Sequence, residues 1–192
     1  MSTSLTRGFG GPLRYIQGPG ELNKIQEYTE KYGDACIVID GFLYESICEK
    51  LTKIFAGKET NFTAICFNGE CCREEISRIQ EKALDANAGV FVGIGGGKTL
   101  DTTKLCADEK GLPVIVVPTA ASTDAPVSEI AVLYTKDGEY IGSKKLSRNS
   151  DLVLVDTEII LTAPKRLFAA GIGDALATYF EALACSNSDS PH

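Results

Sequence analysis

The stretch from Val90 to Asp101 limits what this chain can fold into more than any other. An apolar run, Val90-Phe91-Val92-Gly93-Ile94, breaks on Gly95-Gly96-Gly97-Lys98-Thr99 and continues as a helix-like Leu100-Asp101-Thr102-Thr103-Lys104-Leu105. Strand, glycines and helix in that order bring free backbone N–H groups, the positive end of a helix dipole and a lysine to one point, which is the make-up of a phosphate site. Glycine admits positive φ and lets a bulky anion approach without meeting a Cβ. The first helical turn leaves its N–H groups without internal partners. The bland alternative is a tight strand-to-helix turn, but Gly-Gly-Gly-Lys-Thr directly after a buried-looking strand favours the anion site.

Two standard phosphate patterns fail letter by letter. A P-loop needs a glycine five residues before the glycine of Gly-Lys-Thr, and counting back from Gly97 lands on Val92. The dinucleotide fingerprint Gly-x-Gly-x-x-Gly meets Lys98 at its sixth position from Gly93, and Leu100 from Gly95. What remains is a glycine-rich anion loop of a third kind, with Asp101 one turn into the helix that follows.

Around this loop the chain alternates strand and helix patterns. Residues 12–17 read as a short strand closed by Gly18-Pro19-Gly20, and Leu22, Ile25, Tyr28 and Tyr32 fall at helical spacing over 21–32. Residues 35–39 form an apolar strand that delivers Asp40-Gly41. Helix 42–55, strand 62–67 and helix 73–86 precede the strand that feeds the glycines. A strand over 113–117 follows, then a loop from Pro118 to Pro126 containing Thr119, Ser122 and Asp124. Asp137-Gly138 between extended runs marks a hairpin within 128–146, and residues 152–155 form a last strand ending at Asp156. Continuous β-branched runs such as Val114-Ile115-Val116-Val117 belong to parallel strands buried on both faces. The expected class is therefore α/β, a doubly wound and mostly parallel sheet. Such sheets bind ligands beyond the C-terminal strand ends, where Asp40, the glycines and Thr119 to Asp124 would lie.

From Pro164 a helix is predicted to about Cys185, apolar nearly all round and so expected to be buried on most faces. Asp174 is the only charge between Leu167 and Phe180. A buried carboxylate is costly unless it is paired or holds a metal. Gly171 and Gly173 each cost about 1 kcal/mol against alanine in a helix interior, which implies a close approach to the backbone there. The alternative is that Asp174 caps a helix restarting after Gly173.

Composition narrows the partners. A formal net charge of −7 over 192 residues, with no basic block, argues against nucleic acid or an anionic membrane. The seven cysteines include no Cys-x-x-Cys and several lie in apolar runs, so reduced thiols and a cytoplasmic location are expected. No signal peptide is expected at the N-terminus, and no apolar run long enough to span a bilayer. The only histidine is His192, so a nitrogen and oxygen zinc site cannot be completed here, and the sequence is expected to be the N-terminal part of a longer protein.

Three motifs occur in order: Gly93 to Asp101, the loop Pro118-Thr119 to Ala125-Pro126, and Gly171-Ile172-Gly173-Asp174-Ala175-Leu176-Ala177-Thr178. Together they resemble the glycerol dehydrogenases, the zinc-type branch of the iron-containing alcohol dehydrogenase superfamily, over nearly the whole chain. The resemblance implies a Rossmann-like sheet of the dehydroquinate synthase and iron-alcohol-dehydrogenase type. It implies an NAD-binding domain over residues 1–162 and, over 163–192, the start of a helical metal-binding domain. Gly97, Lys98 and Asp101 would bind NAD, Gly95 and Gly96 would shape its pyrophosphate loop, and Asp40 would sit at the adenosine side. Thr119, Ser122, Ser128, Ile130 and Tyr134 would line the rest of the groove. Asp124 and Asp174 would meet the polyol substrate as the catalytic pair, with Asp174 a zinc ligand completed by two histidines outside this chain. Thr178 stands where iron-type relatives carry a histidine four residues after the metal aspartate, which favours the zinc type. The implied activity is oxidation of glycerol or a related diol to dihydroxyacetone by a protein expected to form homo-oligomers. A non-catalytic NAD-binding fragment and a phosphate-loop enzyme of another class, such as a phosphotransferase or ATPase, remain the alternatives.

Overall fold

The computed structural model describes residues 10–186. Its strands are β1 (Tyr15–Gly18), β2 (Ala35–Ile39), β3 (Phe62–Cys66), β4 (Val90–Gly95), β5 (Val114–Pro118), β6 (Ile130–Tyr134), β7 (Tyr140–Lys145) and β8 (Leu152–Asp156). The helices are α1 (Ile25–Thr29), α2 (Tyr44–Phe55), α3 (Arg73–Asp85), α4 (Gly97–Lys110), α5 (Thr157–Thr162) and α6 (Lys165–Ser186). Six strands form a parallel sheet in the order β1-β8-β5-β4-β2-β3, while β6 and β7 pair antiparallel as a separate ribbon. The α/β class expected from the alternation is the one observed.

The two-residue period of a strand deals its side chains alternately to two cores. Ile37 and Ile39 of β2 and Val90, Val92 and Ile94 of β4 pack with Ile25, Leu51 and Phe55 from α1 and α2. Cys36, Val38 and Phe91 turn the other way, toward Ile76, Ile79 and Leu105 from α3 and α4. Both faces of these strands are covered, which is why they read as unbroken apolar runs. β2 and β4 are neighbours, yet β2 leads outward to β3 and β4 leads the other way to β5. The strand order reverses between them, and the crevice at such a reversal is the binding place of open α/β sheets.

Gly93 and Gly95 set how α4 meets this crevice. A Cβ on Gly93 would lie 2.7 Å from Thr103 Oγ1, and one on Gly95 would lie 2.7 Å from Thr99. Both glycines let the first turns of α4 press onto β4. None of Gly93, Gly95, Gly96 and Gly97 has positive φ, so the expected left-handed turn is absent and close approach is what the fold takes from them. The helix also starts earlier than expected, at Gly97 instead of Leu100. Gly96 is extended and its carbonyl accepts the Leu100 N–H at 3.1 Å, which places Lys98 inside the first turn.

Three other expectations change. The helix expected over 21–32 is α1 flanked by 3-10 turns at Glu21–Lys24 and Glu30–Tyr32. Its entry is fixed by the fully buried Asp156 carboxylate, which accepts the N–H groups of Gly20 and Leu22 at 3.0 Å each. The helix from Pro164 forms as α6, but none of its residues is buried: Phe168, Ile172, Leu176, Tyr179 and Phe180 are more than half exposed. No other element of the described residues covers it. By length and composition alone α6 is also apolar enough to cross a membrane, which corrects the expectation that no run is. Its contact with the loop after β5 is local. A Cβ on Gly171 would lie 2.1 Å from the Ala121 carbonyl oxygen, so the expected close approach occurs there, whereas nothing lies within 4 Å of a Cβ on Gly173.

Candidate functional site

The N-terminus of α4 is the fixed point of the crevice. No side chain caps it, so its first amides and the positive end of the dipole are available to an anion. Lys98 extends from this turn, and its ammonium lies 2.8 Å from Glu70 Oε2 and 4.8 Å from the centroid of the Tyr134 ring. Glu70 arrives on the loop after β3, directly behind Gly69, whose φ is +98°. Across the crevice, the Asp40 carboxylate accepts from Thr99 Oγ1 at 3.4 Å, and the Asp40 amide is tied to the Ile94 carbonyl at 2.9 Å. Asp40, Phe67, Asn68, Gly96, Lys98 and Thr99 line a cavity of about 540 Å³.

One turn further along α4, Asp101 is 6% exposed. Its Oδ2 accepts the Val132 N–H at 3.0 Å. Its Oδ1 is paired with Lys104 Nζ at 2.9 Å, and the same ammonium donates to the carbonyls of Ala125, Ser128 and Ile130 at 2.9, 3.1 and 3.0 Å. Burial pushes the Asp101 carboxyl above its ordinary range, an effect that Lys104 and the Val132 amide offset in part and Asp124 adds to. Gly97, Lys98, Asp101, Ser128, Ile130 and Tyr134 border a second cavity of about 470 Å³.

The third part lies against α6. The Asp124 N–H donates to Asp174 Oδ2 at 3.1 Å, and Thr178 Oγ1 donates to the Asp174 carbonyl at 3.0 Å. Thr123, Asp124, Gly171, Asp174 and Thr178 line a cavity of about 550 Å³. Gly97 and Lys98 are shared by the first two cavities, and Thr123 and Asp124 by the second and third. The three form one groove from Asp40 to Asp174.

Most residues singled out in the sequence line this groove: Asp40, Gly96, Gly97, Lys98, Asp101, Asp124, Ser128, Ile130, Tyr134 and Asp174. Gly95, Thr119 and Ser122 do not. Thr119 is buried beneath the loop with its N–H on the Gly95 carbonyl at 3.1 Å, and Ser122 stands beside Gly171. Asp174 is half-buried, not a fully buried charge. Among the described residues no group of three or more His, Cys, Asp or Glu side chains could hold a metal ion, and His192 lies outside them. Sequence reasoning missed Glu70, Thr99 and Lys104. The signals were there for two of them: Glu70 follows a glycine at a C-terminal strand end, and Lys104 stands three residues after Asp101, on the same helix side.

Residues 12–157 match the family described as iron-containing alcohol dehydrogenase. The chain is 46% identical over 187 residues to a glycerol dehydrogenase of Thermotoga maritima, covering 94% of this chain and 50% of that one. It is 45% identical to a glycerol dehydrogenase of Pseudomonas putida, covering 96% and 51%. The crystal structure of a probable glycerol dehydrogenase from Sinorhizobium meliloti superposes with a TM-score of 0.84 at 41% identity, covering 91% of this chain and 48% of that one. The chain therefore spans about half the length of the curated relatives it matches.

Proposed function

Because this chain belongs to the iron-containing alcohol dehydrogenase family, we propose that it is the dinucleotide-binding part of an NAD-dependent glycerol dehydrogenase. The observation that carries the reading is the groove itself, with an uncapped helix N-terminus at its middle and the Asp101 carboxylate on its border. An uncapped N-terminus suits a diphosphate. A carboxylate can accept more than one hydrogen bond, and the amide of a nicotinamide is a donor that the Asp101 side of the groove could receive.

In this reading the first amides of α4 hold the pyrophosphate, and Lys98 adds a charge shared with Glu70. Asp40 accepts from a ribose hydroxyl and repels a 2′-phosphate, which selects NAD over NADP. Ser128, Ile130 and Tyr134 border the nicotinamide end. Asp124 orients a substrate hydroxyl in the third cavity, and bound NAD supplies the hydride acceptor that takes glycerol to dihydroxyacetone. Zinc does not fit this chain alone, since Asp174 stands without a ligand set among the described residues. Asp174 is the one ligand the chain would contribute to a site completed elsewhere. The division near residue 162, a homo-oligomeric assembly and a cytoplasmic location belong to the same proposal.

Calorimetric titration of the chain with NAD, NADP and ATP tests the reading. Binding of NAD in preference to both others is expected. Binding of ATP without NAD would move the groove to a phosphate-transfer class, and binding of none would sink the cofactor assignment for this chain.

A further inference from the structure

Lys104 is 1% exposed and stands in the middle of a helix, a position almost never given to a lysine unless it is paired. Its surroundings match an ammonium group donor for donor. Three protons meet three carbonyls, those of Ala125, Ser128 and Ile130, and the Asp101 carboxylate balances the charge at 2.9 Å. These carbonyls belong to a loop and the start of β6, neither of which joins the main sheet. The same segment carries Ser128 and Ile130 on the groove wall and continues to Val132, whose amide holds Asp101 Oδ2. One buried cation thus ties α4 to the far wall of the groove.

We propose that Lys104 is a positioning residue of the groove: it fixes the Ala125–Ile130 wall on α4 and, through its 2.9 Å pair with Asp101, holds that carboxylate in place on the border of the same cavity. The part concerning the ligand rests on the dinucleotide reading; the part concerning the wall does not. Without the cation, the groups that face Asp101 are the Asp124 carboxylate from the loop, the Cys71 thiol from beyond β3 and the Val132 amide. Only the amide then favours the carboxylate. The carboxyl, already raised by burial, rises further, and its acceptor form is lost as pH falls.

The test compares the 192-residue chain with its Lys104→Met variant by amide hydrogen exchange and by NAD titration at several pH values from 6 to 9. The expected result has two parts. Exchange at residues 125–132 accelerates about tenfold or more while β4 and β5 keep their protection. NAD affinity falls about tenfold or more and falls further as pH is lowered, whereas the unaltered chain shows no such trend. Unchanged exchange in the wall overturns the proposal, and so does an affinity loss that is the same at every pH, because a merely structural strut would give that. If Lys104→Met fails to fold, Lys104→Gln, which keeps two N–H donors and drops the charge, takes its place. Failure of both to fold makes Lys104 a core strut and ends the proposal. If the unaltered chain binds no NAD, the cofactor reading fails by itself, the ligand part falls with it, and exchange still decides the wall.

Discussion

α4 and α6 both carry a carboxylate of the groove, and they hold it in opposite ways. α4 buries nine of its residues, among them Asp101, Thr102, Thr103 and Lys104. α6 buries none, and its link to the loop is the approach of Gly171 to Ala121 and the bond from the Asp124 amide to Asp174. Composition alone would have reversed the two, since α6 is the more apolar helix. The difference shows that burial follows what packs against a helix, not the helix's own hydropathy. The position of Asp101 is therefore over-determined by the fold, whereas the position of Asp174 depends on one close contact and one hydrogen bond.

The largest effect expected from this contrast comes from one substitution made on both helices. Leu105 is fully buried, so Leu105→Ala should cost about 2–5 kcal/mol in urea unfolding. Leu176 is 55% exposed, so Leu176→Ala should stay within about 0.5 kcal/mol. Comparable losses at the two positions would mean that α6 is covered in solution, and the contrast would disappear.

That contrast also marks how far the sequence could be read. The parallel strands were legible because each is buried on both faces and shows an unbroken apolar run. The groove was legible along α4 because glycine, lysine and aspartate sit at fixed offsets on one element. Lys104 and Glu70 were harder. The acceptors of Lys104 lie up to 26 residues away on a loop whose path no local pattern sets, and Glu70 meets Lys98 only once β3 and β4 are aligned through β2. The exposure of α6 was hidden for a different reason. An apolar helix pattern does not say what packs against the helix, and among the described residues nothing buries α6.

An effect of about 1 kcal/mol should separate the two glycines of α6. Alanine gains roughly that much over glycine in a helix interior. Gly173→Ala meets nothing within 4 Å and should realise the gain. Gly171→Ala puts a methyl 2.1 Å from the backbone carbonyl of Ala121, which cannot rotate away. It should forfeit the gain, shift α6 from the loop and speed exchange of the Asp124 amide. Equal thermal shifts for the two variants would show that the loop yields freely and that Asp174 is held by nothing but its hydrogen bond.

The smallest effect lies at the C-terminal end of α4, where the anchoring is electrostatic. Burial raises the Asp108 carboxyl, but hydrogen bonds from Ser147 and the ammonium of Lys144 outweigh it, and the carboxyl ends below its ordinary range. Glu109 is likewise raised by burial and pulled lower overall by Arg73, Lys144 and Gln80. A carboxyl lowered in the folded state binds protons more readily when unfolded, so stability must fall as protons are added. The contribution is complete above the unfolded values, near 4, and is lost as pH drops through the lower folded ones. Both groups still reach solvent, so screening should keep the slope shallow. Urea midpoints from pH 6 to pH 3 should fall more steeply for the unaltered chain than for an Asp108→Asn, Glu109→Gln double variant. Parallel curves would show that the bonds to Lys144 and Ser147 do not fasten the β6–β7 ribbon to α4. The packing of Ala131 and the Lys104 ammonium would then be what holds the ribbon in place.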